Sequence, residues 1–158
     1  MTGAKAEDAF DRALKFLRYR ARSANEVRTK LKRLGYSPQT VDLTLRKLTS
    51  LSLLNDESFA RNWALTRVEQ RGYGPLRVAR ELHQKGIEKS LINQILAEAF
   101  ARDTAKITDT ARALLERRFS GKDLRDLRNL RRAAAFLQRR GYPSSVIGEL
   151  LQDFHEES

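Results

Sequence analysis

The chain has no cysteine, and only three prolines, two histidines and one tryptophan among its 158 residues. Without cysteine there are no disulfides, no thiolate nucleophile and no cysteine-bearing zinc site, a composition compatible with a reducing compartment. No apolar run approaches the roughly 18 residues that span a bilayer, and Lys5 leads directly to Glu7, Asp8 and Asp11, so a soluble, cytoplasmic chain without a signal segment or membrane partner is expected. No segment alternates with period two, which leaves no basis for a sheet. His83 and His155 are isolated and read as surface histidines; with no H-x-x-x-H pair, a metal site is not expected. Asp8 with Asp11, and Asp56 with Glu57, read as carboxylates at helix starts that serve the helix dipole rather than acid–base chemistry. No enzymatic activity, catalytic residue, cofactor or metal is expected.

Positive charge is what the sequence has in excess. The formal charge of +11 points to a polyanionic partner. Residues 1–50 hold 12 Lys/Arg against 5 Asp/Glu, residues 51–104 hold 8 against 7, and residues 105–158 hold 11 against 8, so the positive field is concentrated in the first third. The hydrophobic share of 41% is enough to bury a core, in one body or in a few stacked units.

Stacked units are what the spacing predicts. Gly35, Gly86 and Gly141 align without gaps: four residues earlier stand Leu31, Leu82 and Leu137, and eight earlier Val27, Val78 and Ala133. Six residues later stand Val41, Ile92 and Ile147, and ten later Leu45, Leu96 and Leu151. This is the 3.6-residue period on both sides of a glycine stop. Tyr36, Ile87 and Tyr142 follow the glycines, as the apolar contact of a Schellman cap requires. A longer helix precedes each unit, with Phe10, Ala13, Leu14 and Leu17 in the first and Phe59, Ala60, Trp63 and Ala64 in the second. In the third, Ile107, Ala111, Leu114 and Leu115 are followed by a pause near Gly121 and a helix resuming at Leu124. The fold class predicted is all-α: an elongated array of three tandem three-helix repeats, residues 1–54, 55–102 and 103–158, with no sheet. A polar last helix carrying Asp153, Glu156 and Glu157 gives no reason to self-associate, and a monomer is expected.

Local signals mark the helix ends. Ser23 with Glu26 reads as a capping box, Ser37-Pro38 as an N-cap with proline at the first helical position, and Asn55 or Asp56 as a further N-cap. The stretch Arg71-Gly72-Tyr73-Gly74-Pro75 to Gly86-Ile87 contains a whole short helix, apolar along Val78 and Leu82 and basic at Arg77, Arg80 and Lys85. It is not a Walker loop; its helix start could hold one phosphate on the N–H groups of Leu76 and Arg77, beside the simpler reading of a sharp packed turn.

Two basic groups stand out. The densest run is Arg18, Arg20, Arg22, Arg28, Lys30, Lys32 and Arg33, over the end of one helix, a turn and the next helix; Arg12, Lys15, Arg18 and Arg22 can share one face, a ridge able to track a nucleic-acid backbone, beside the plainer reading of a solvated face. The second group, from Arg117 and Arg118 through Lys122, Arg125, Arg128, Arg131 and Arg132 to Arg139 and Arg140, is interrupted by Asp123 and Asp126, and its mixed signs favour intrahelical pairing. Tyr19 and Tyr73 could stack on bases, whereas Trp63 reads as core.

The run R-G-Y-G-P-x-R-V-x-x-E-L-x-x-K-G-I from Arg71 to Ile87, with Leu53-Leu54-Asn55-Asp56-Glu57-Ser58-Phe59-Ala60 before it, resembles the RecX family of bacterial recombination regulators. Arg22-Ser23, Glu26-Val27, Leu31 and Leu34-Gly35-Tyr36 resemble that family's first unit, and Arg140-Gly141-Tyr142 its third. The resemblance implies three tandem three-helix repeats and a non-enzymatic modulator, expected to be an inhibitor, of the RecA recombinase in homologous recombination, DNA repair and the SOS response. It implies binding in the groove of the RecA filament on single-stranded DNA, with suppression of ATP hydrolysis, strand exchange and repressor cleavage. It supplies no catalytic residue. The contact residues expected come from this sequence: Arg18, Arg22, Arg28, Lys32 and Arg33 in the first repeat, and Arg71, Arg77 and Arg80 in the second. Expected partners are the RecA filament, single-stranded DNA and duplex DNA through the basic faces. The alternative is a stand-alone DNA-binding protein of helix-turn-helix type, which would bind duplex DNA selectively without RecA; a protein-binding adaptor would instead be insensitive to salt.

Overall fold

The computed structural model describes residues 2–100 and 104–157, so the expected boundary at 102/103 lies outside the described residues. Among them run nine helices and no strand: α1 (Thr2–Tyr19), α2 (Ala24–Arg33), α3 (Pro38–Ser50), α4 (Asp56–Arg71), α5 (Pro75–Gln84), α6 (Lys89–Ala99), α7 (Thr104–Arg118), α8 (Leu127–Arg140) and α9 (Ser144–Glu156). Extensive helix packing is confined within each triplet, α1 to α3, α4 to α6 and α7 to α9. Three separate cores result, around Ala13, Val27, Leu31 and Leu48, around Ala60, Val78, Leu82 and Ile95, and around Leu115, Leu137, Tyr142 and Leu150.

The repeat read from spacing is a repeat of hydrogen bonds. At all three glycines the chain closes the preceding helix identically: Tyr36, Ile87 and Tyr142 N–H donate back to the carbonyls of Leu31, Leu82 and Leu137 at 3.3, 3.1 and 3.1 Å. Gly35, Gly86 and Gly141 N–H donate to Lys32, His83 and Gln138 at 3.0, 2.9 and 3.0 Å. That pair of bonds is the Schellman motif. Leu31, Leu82 and Leu137, which supply the accepting carbonyls, are fully buried, so truncating any of them to alanine would cost about 2–5 kcal/mol.

The start signals hold too. Ser23 Oγ accepts from Glu26 N–H and the Glu26 carboxylate accepts from Ser23 N–H, both halves of a capping box. Ser37 and Asn55 cap α3 and α4, and Pro38 and Pro75 open α3 and α5. Two expectations differ. α8 begins at Leu127, not Leu124, because Asp126 takes the N-cap position and accepts from Arg128 N–H; Leu124 packs on the third core from the loop. Asp8 and Asp11 are not at a helix start, since α1 extends back to Thr2; Asp8 instead accepts the Tyr36 hydroxyl and lies 3.9 Å from Arg12.

Neighbouring repeats meet at helix ends, through one joint made twice. The carboxyl end of α5 abuts the start of α2: Ser23 Oγ donates to the Lys85 carbonyl at 2.6 Å, and the Lys85 ammonium reaches Glu26 at 2.8 Å. Ala24 N–H donates to Asp56 at 2.8 Å beside it. The carboxyl end of α8 abuts the start of α5 in the same way: Gly74 and Leu76 N–H donate to the carbonyls of Arg140 and Gly141 at 2.7 and 3.0 Å. Tyr142 OH donates to the Gly72 carbonyl at 2.9 Å, and Arg140 donates to the Arg71 carbonyl. Ser23 and Gly74 stand at equivalent places, twelve residues before Gly35 and Gly86. Each joint sets the negative end of one helix dipole against the positive end of another. Close approach explains two of the glycines: a Cβ on Gly86 would lie 2.4 Å from Asn25 Cβ, and one on Gly141 2.4 Å from Arg77 N, both at positive φ. Gly35, at the free end of the series, would meet nothing.

Candidate nucleic-acid interface

The joints decide which cations are committed to the fold and which face outward. In the first repeat, α1 delivers Arg12 to Asp8, and Arg22 folds over the Phe16 ring, 4.0 Å from its centroid, with Lys30 5.6 Å away on the same ring. Burial and the charge of Arg20 push the Arg22 guanidinium below the usual arginine range; Glu26 pulls the other way. Arg28 pairs with Asp42 at 2.9 Å and Arg20 with Glu26 at 2.7 Å. Among the described residues Arg18, Lys32 and Arg33 have no ion-pair partner, and all three are exposed. The structure does not gather the expected ridge into one cluster. Arg18 and Arg22 border a cleft of about 480 Å³ against Leu53, Asn55 and Phe59, whereas Lys32 and Arg33 stand at the far end of α2, roughly 15 Å on.

Glu26 is the electrostatic centre of the first joint. Burial alone would raise its carboxyl, but hydrogen bonds from Arg20, Lys85 and Ser23 N–H outweigh it and hold the pKa at about 2. A parallel cluster surrounds Glu81: Trp63 Nε1 donates to it at 3.0 Å, Arg67 Nε lies 3.0 Å away without the alignment of a hydrogen bond, and Arg77 lies at 3.7 Å. Trp63 stacks on Phe59 and carries Arg67 and Lys85 over its ring, so it is a packed residue with a polar handle.

The three expected contacts of the second repeat have different surroundings. Arg77 lies 3.7 Å over the Tyr73 ring and donates to the Arg139 carbonyl at 3.0 Å, so it belongs to the second joint. Arg71 ends α4 with its side chain exposed, and Arg80 is exposed on α5. The phosphate reading of the α5 start is overturned: Leu76 N–H is already taken by the Gly141 carbonyl. Tyr73 lies beneath Arg77, while Tyr19 is 85% exposed. His83 and His155 are on the surface, and among the described residues no cluster of His, Asp or Glu could hold a metal ion. No helix among the described residues is long and apolar enough to cross a membrane.

The second basic group does not pair within its helices as its mixed signs suggested. Asp126 is the N-cap of α8 and Asp123 sits in the preceding loop, where its one ion pair among the described residues is with Arg125, at 3.0 Å. Arg117, Arg118, Arg131, Arg132 and Arg139 are exposed without an ion-pair partner among the described residues. A sequence signal for this existed: no carboxylate stands three or four residues from Arg117, Arg118, Arg132 or Arg139.

Three domain models of one family match along the chain: the first three-helix domain of RecX over residues 9–48, the second over 55–96 and the third over 106–151. The chain is 38% identical over 145 residues to the regulatory protein RecX of Halorhodospira halophila, covering 92% of this chain and 87% of that one. It is 32% identical to the regulatory protein RecX of Bacillus subtilis, covering 99% of this chain and 58% of that longer protein. The crystal structure of RecX from Lactobacillus salivarius has the same fold, with a TM-score of 0.79 at 21% identity over 96% of this chain and 97% of that one. With every repeat matched in order and most of the Halorhodospira protein's length covered, the chain belongs to the RecX family.

Proposed function

We propose that this chain is a non-enzymatic regulator of the RecA recombinase, an inhibitor that lies in the groove of the RecA filament on single-stranded DNA and slows ATP hydrolysis, strand exchange and repressor cleavage. The observation that carries the reading is the in-order match of all three repeats to a family whose relatives are named regulatory proteins. The architecture supports it physically. Three separate cores joined at helix ends make an array that can follow a helical groove and touch more than one subunit. Arg18, Lys32 and Arg33, free of carboxylate partners among the described residues, offer charge to such a surface. The chain acts as a monomer in the cytoplasm on this reading.

Co-sedimentation with RecA filaments on single-stranded DNA, compared with the bare DNA, tests it. Tighter binding to the filament is expected, falling with salt. The variant Arg18→Glu/Lys32→Glu/Arg33→Glu should weaken filament binding with helical circular dichroism intact; Arg28 is a poorer choice because Asp42 already holds it. Equal affinity for filament and bare DNA, or selective binding to duplex DNA alone, would instead assign the chain to stand-alone helix-turn-helix DNA binding.

A further inference from the structure

Where the last turn of α4 faces α7 and the end of α8, a cleft of about 430 Å³ is bordered by Arg71, Thr110, Leu114, Arg117, Arg118 and Arg140. Beside it, between α7 and α8, a second cleft of about 420 Å³ is bordered by Phe119, Lys122, Arg132 and Arg139. Arg118 and Phe136 line both, which joins the two into one groove across the second and third repeats. Seven cations and a single carboxylate, Glu69, border it. The third repeat's ion pairs, Arg112 with Asp153 and Glu157 and Arg125 with Asp123, all lie elsewhere. Seven cations against one carboxylate along a groove repel each other in the free protein and are relieved by a bound polyanion.

We propose that this groove binds the phosphate backbone of single-stranded nucleic acid, with Arg117, Arg118, Arg132 and Arg139 on the phosphates. The proposal gives the nucleic-acid part of the function above a place on the chain and rests on that part alone. Guanidinium groups match phosphate oxygens in a bidentate fork. Arg132 and Arg139 are two helical turns apart, about 10 Å along α8, so the groove reaches beyond one phosphate. Arg140 is already held by its bond to the Arg71 carbonyl and its place 5.2 Å from the Phe136 ring centroid, so it is not counted among the phosphate contacts. Phe119 is buried, and Phe136 is half-buried edge-on against it with Arg140 5.2 Å from its ring centroid, so the contacts expected are to phosphates and binding is independent of sequence. Leu114 and Phe136 are the groove's larger half-buried apolar residues and stand among seven cations, a charge that favours a polyanion over a neutral protein segment.

Anisotropy of labelled oligothymidine with the full chain, without RecA, over a salt series tests the groove separately from the RecA reading. Arg117→Gln/Arg118→Gln/Arg132→Gln should weaken binding ~10-fold or more at low salt and flatten the slope of log affinity against log salt by about 2, near 0.7 per lost phosphate contact. The lysine triple at the same positions should restore the slope, and Arg46→Gln/Lys89→Gln should change neither quantity. Unchanged affinity and slope in the glutamine triple, with wild-type circular dichroism, would overturn the proposal. Equal displacement by inorganic tripolyphosphate at matched phosphate concentration would also overturn it, in favour of a nucleotide site. Groove-dependent binding of polyglutamate without binding of oligothymidine would make it a site for an acidic protein segment.

Discussion

The two joints use one geometry and two chemistries. Between the first and second repeats, side chains carry the contact: the Ser23 hydroxyl, the Glu26 carboxylate, the Lys85 ammonium and Asp56. Between the second and third, main chain meets main chain, with Gly74 and Leu76 N–H on the Arg140 and Gly141 carbonyls; the Tyr142 hydroxyl and the Arg77 and Arg140 guanidinium groups add bonds to main-chain carbonyls, and no carboxylate is involved in those bonds. The first joint is therefore sensitive to acid and salt. The second depends on the absence of side chains at Gly74 and Gly141, and burial pushes the Tyr142 phenol up to about 12, so it keeps its proton at physiological pH. A repeat that preserves docking geometry can thus change what holds it, and the change decides which conditions loosen which end of the array.

The largest effect expected is at Gly141. Alanine there takes on both a positive φ of 90° and a Cβ 2.4 Å from the Arg77 nitrogen, a backbone atom that cannot swing aside. A loss of roughly 2–5 kcal/mol at the second joint follows. Thermal melting followed by circular dichroism should split into two transitions, with the third repeat melting first; a single, unshifted transition would show that the glycine approach does not hold the joint. Ser23→Ala comes next. It removes a fully buried hydroxyl that caps α2 and bonds the Lys85 carbonyl, costing about 1–3 kcal/mol in chemical denaturation, and a change within error would remove the first joint's main polar contact from the account.

The smallest effect is the pH dependence of the first joint. A carboxyl held at about 2 in the folded chain, against a usual value of 4.5, contributes stability that is fully present above pH 4.5 and is lost as the pH falls toward 2. Glu26→Gln should flatten the stability profile over that window. The Tyr142→Phe variant should leave the profile's shape unchanged, which separates the two chemistries; identical profiles for wild type and Glu26→Gln would contradict the assignment.

Much of the fold was legible because its signals are local. A glycine with leucine four residues before it and an apolar residue after it specifies a Schellman turn, and serine followed by glutamate three residues on specifies a capping box, without knowledge of any neighbour. The joints were not legible. Ser23 and Lys85 are separated by 62 residues, and alignment of the repeats reveals equivalent positions but not how one unit docks on the next. That docking overturned the phosphate reading at Pro75, where the free N–H expected at Leu76 is used by the third repeat. The basic ridge was read by counting cations, which cannot tell Arg28 on Asp42 from Lys32 standing free. The groove of the third repeat was discounted because Asp123 and Asp126 are close in sequence; they lie in the loop and at the cap, off the helical faces that carry the arginines.

The functional reading itself turns on the rate of ATP hydrolysis by RecA on single-stranded DNA, with RecA from the same organism and this chain added substoichiometrically. A steep fall in rate at far less than one chain per RecA is the result predicted, because an array lying in the filament groove acts on more than one subunit. An unchanged rate, with the chain folded and titrated up to one per RecA, would contradict it.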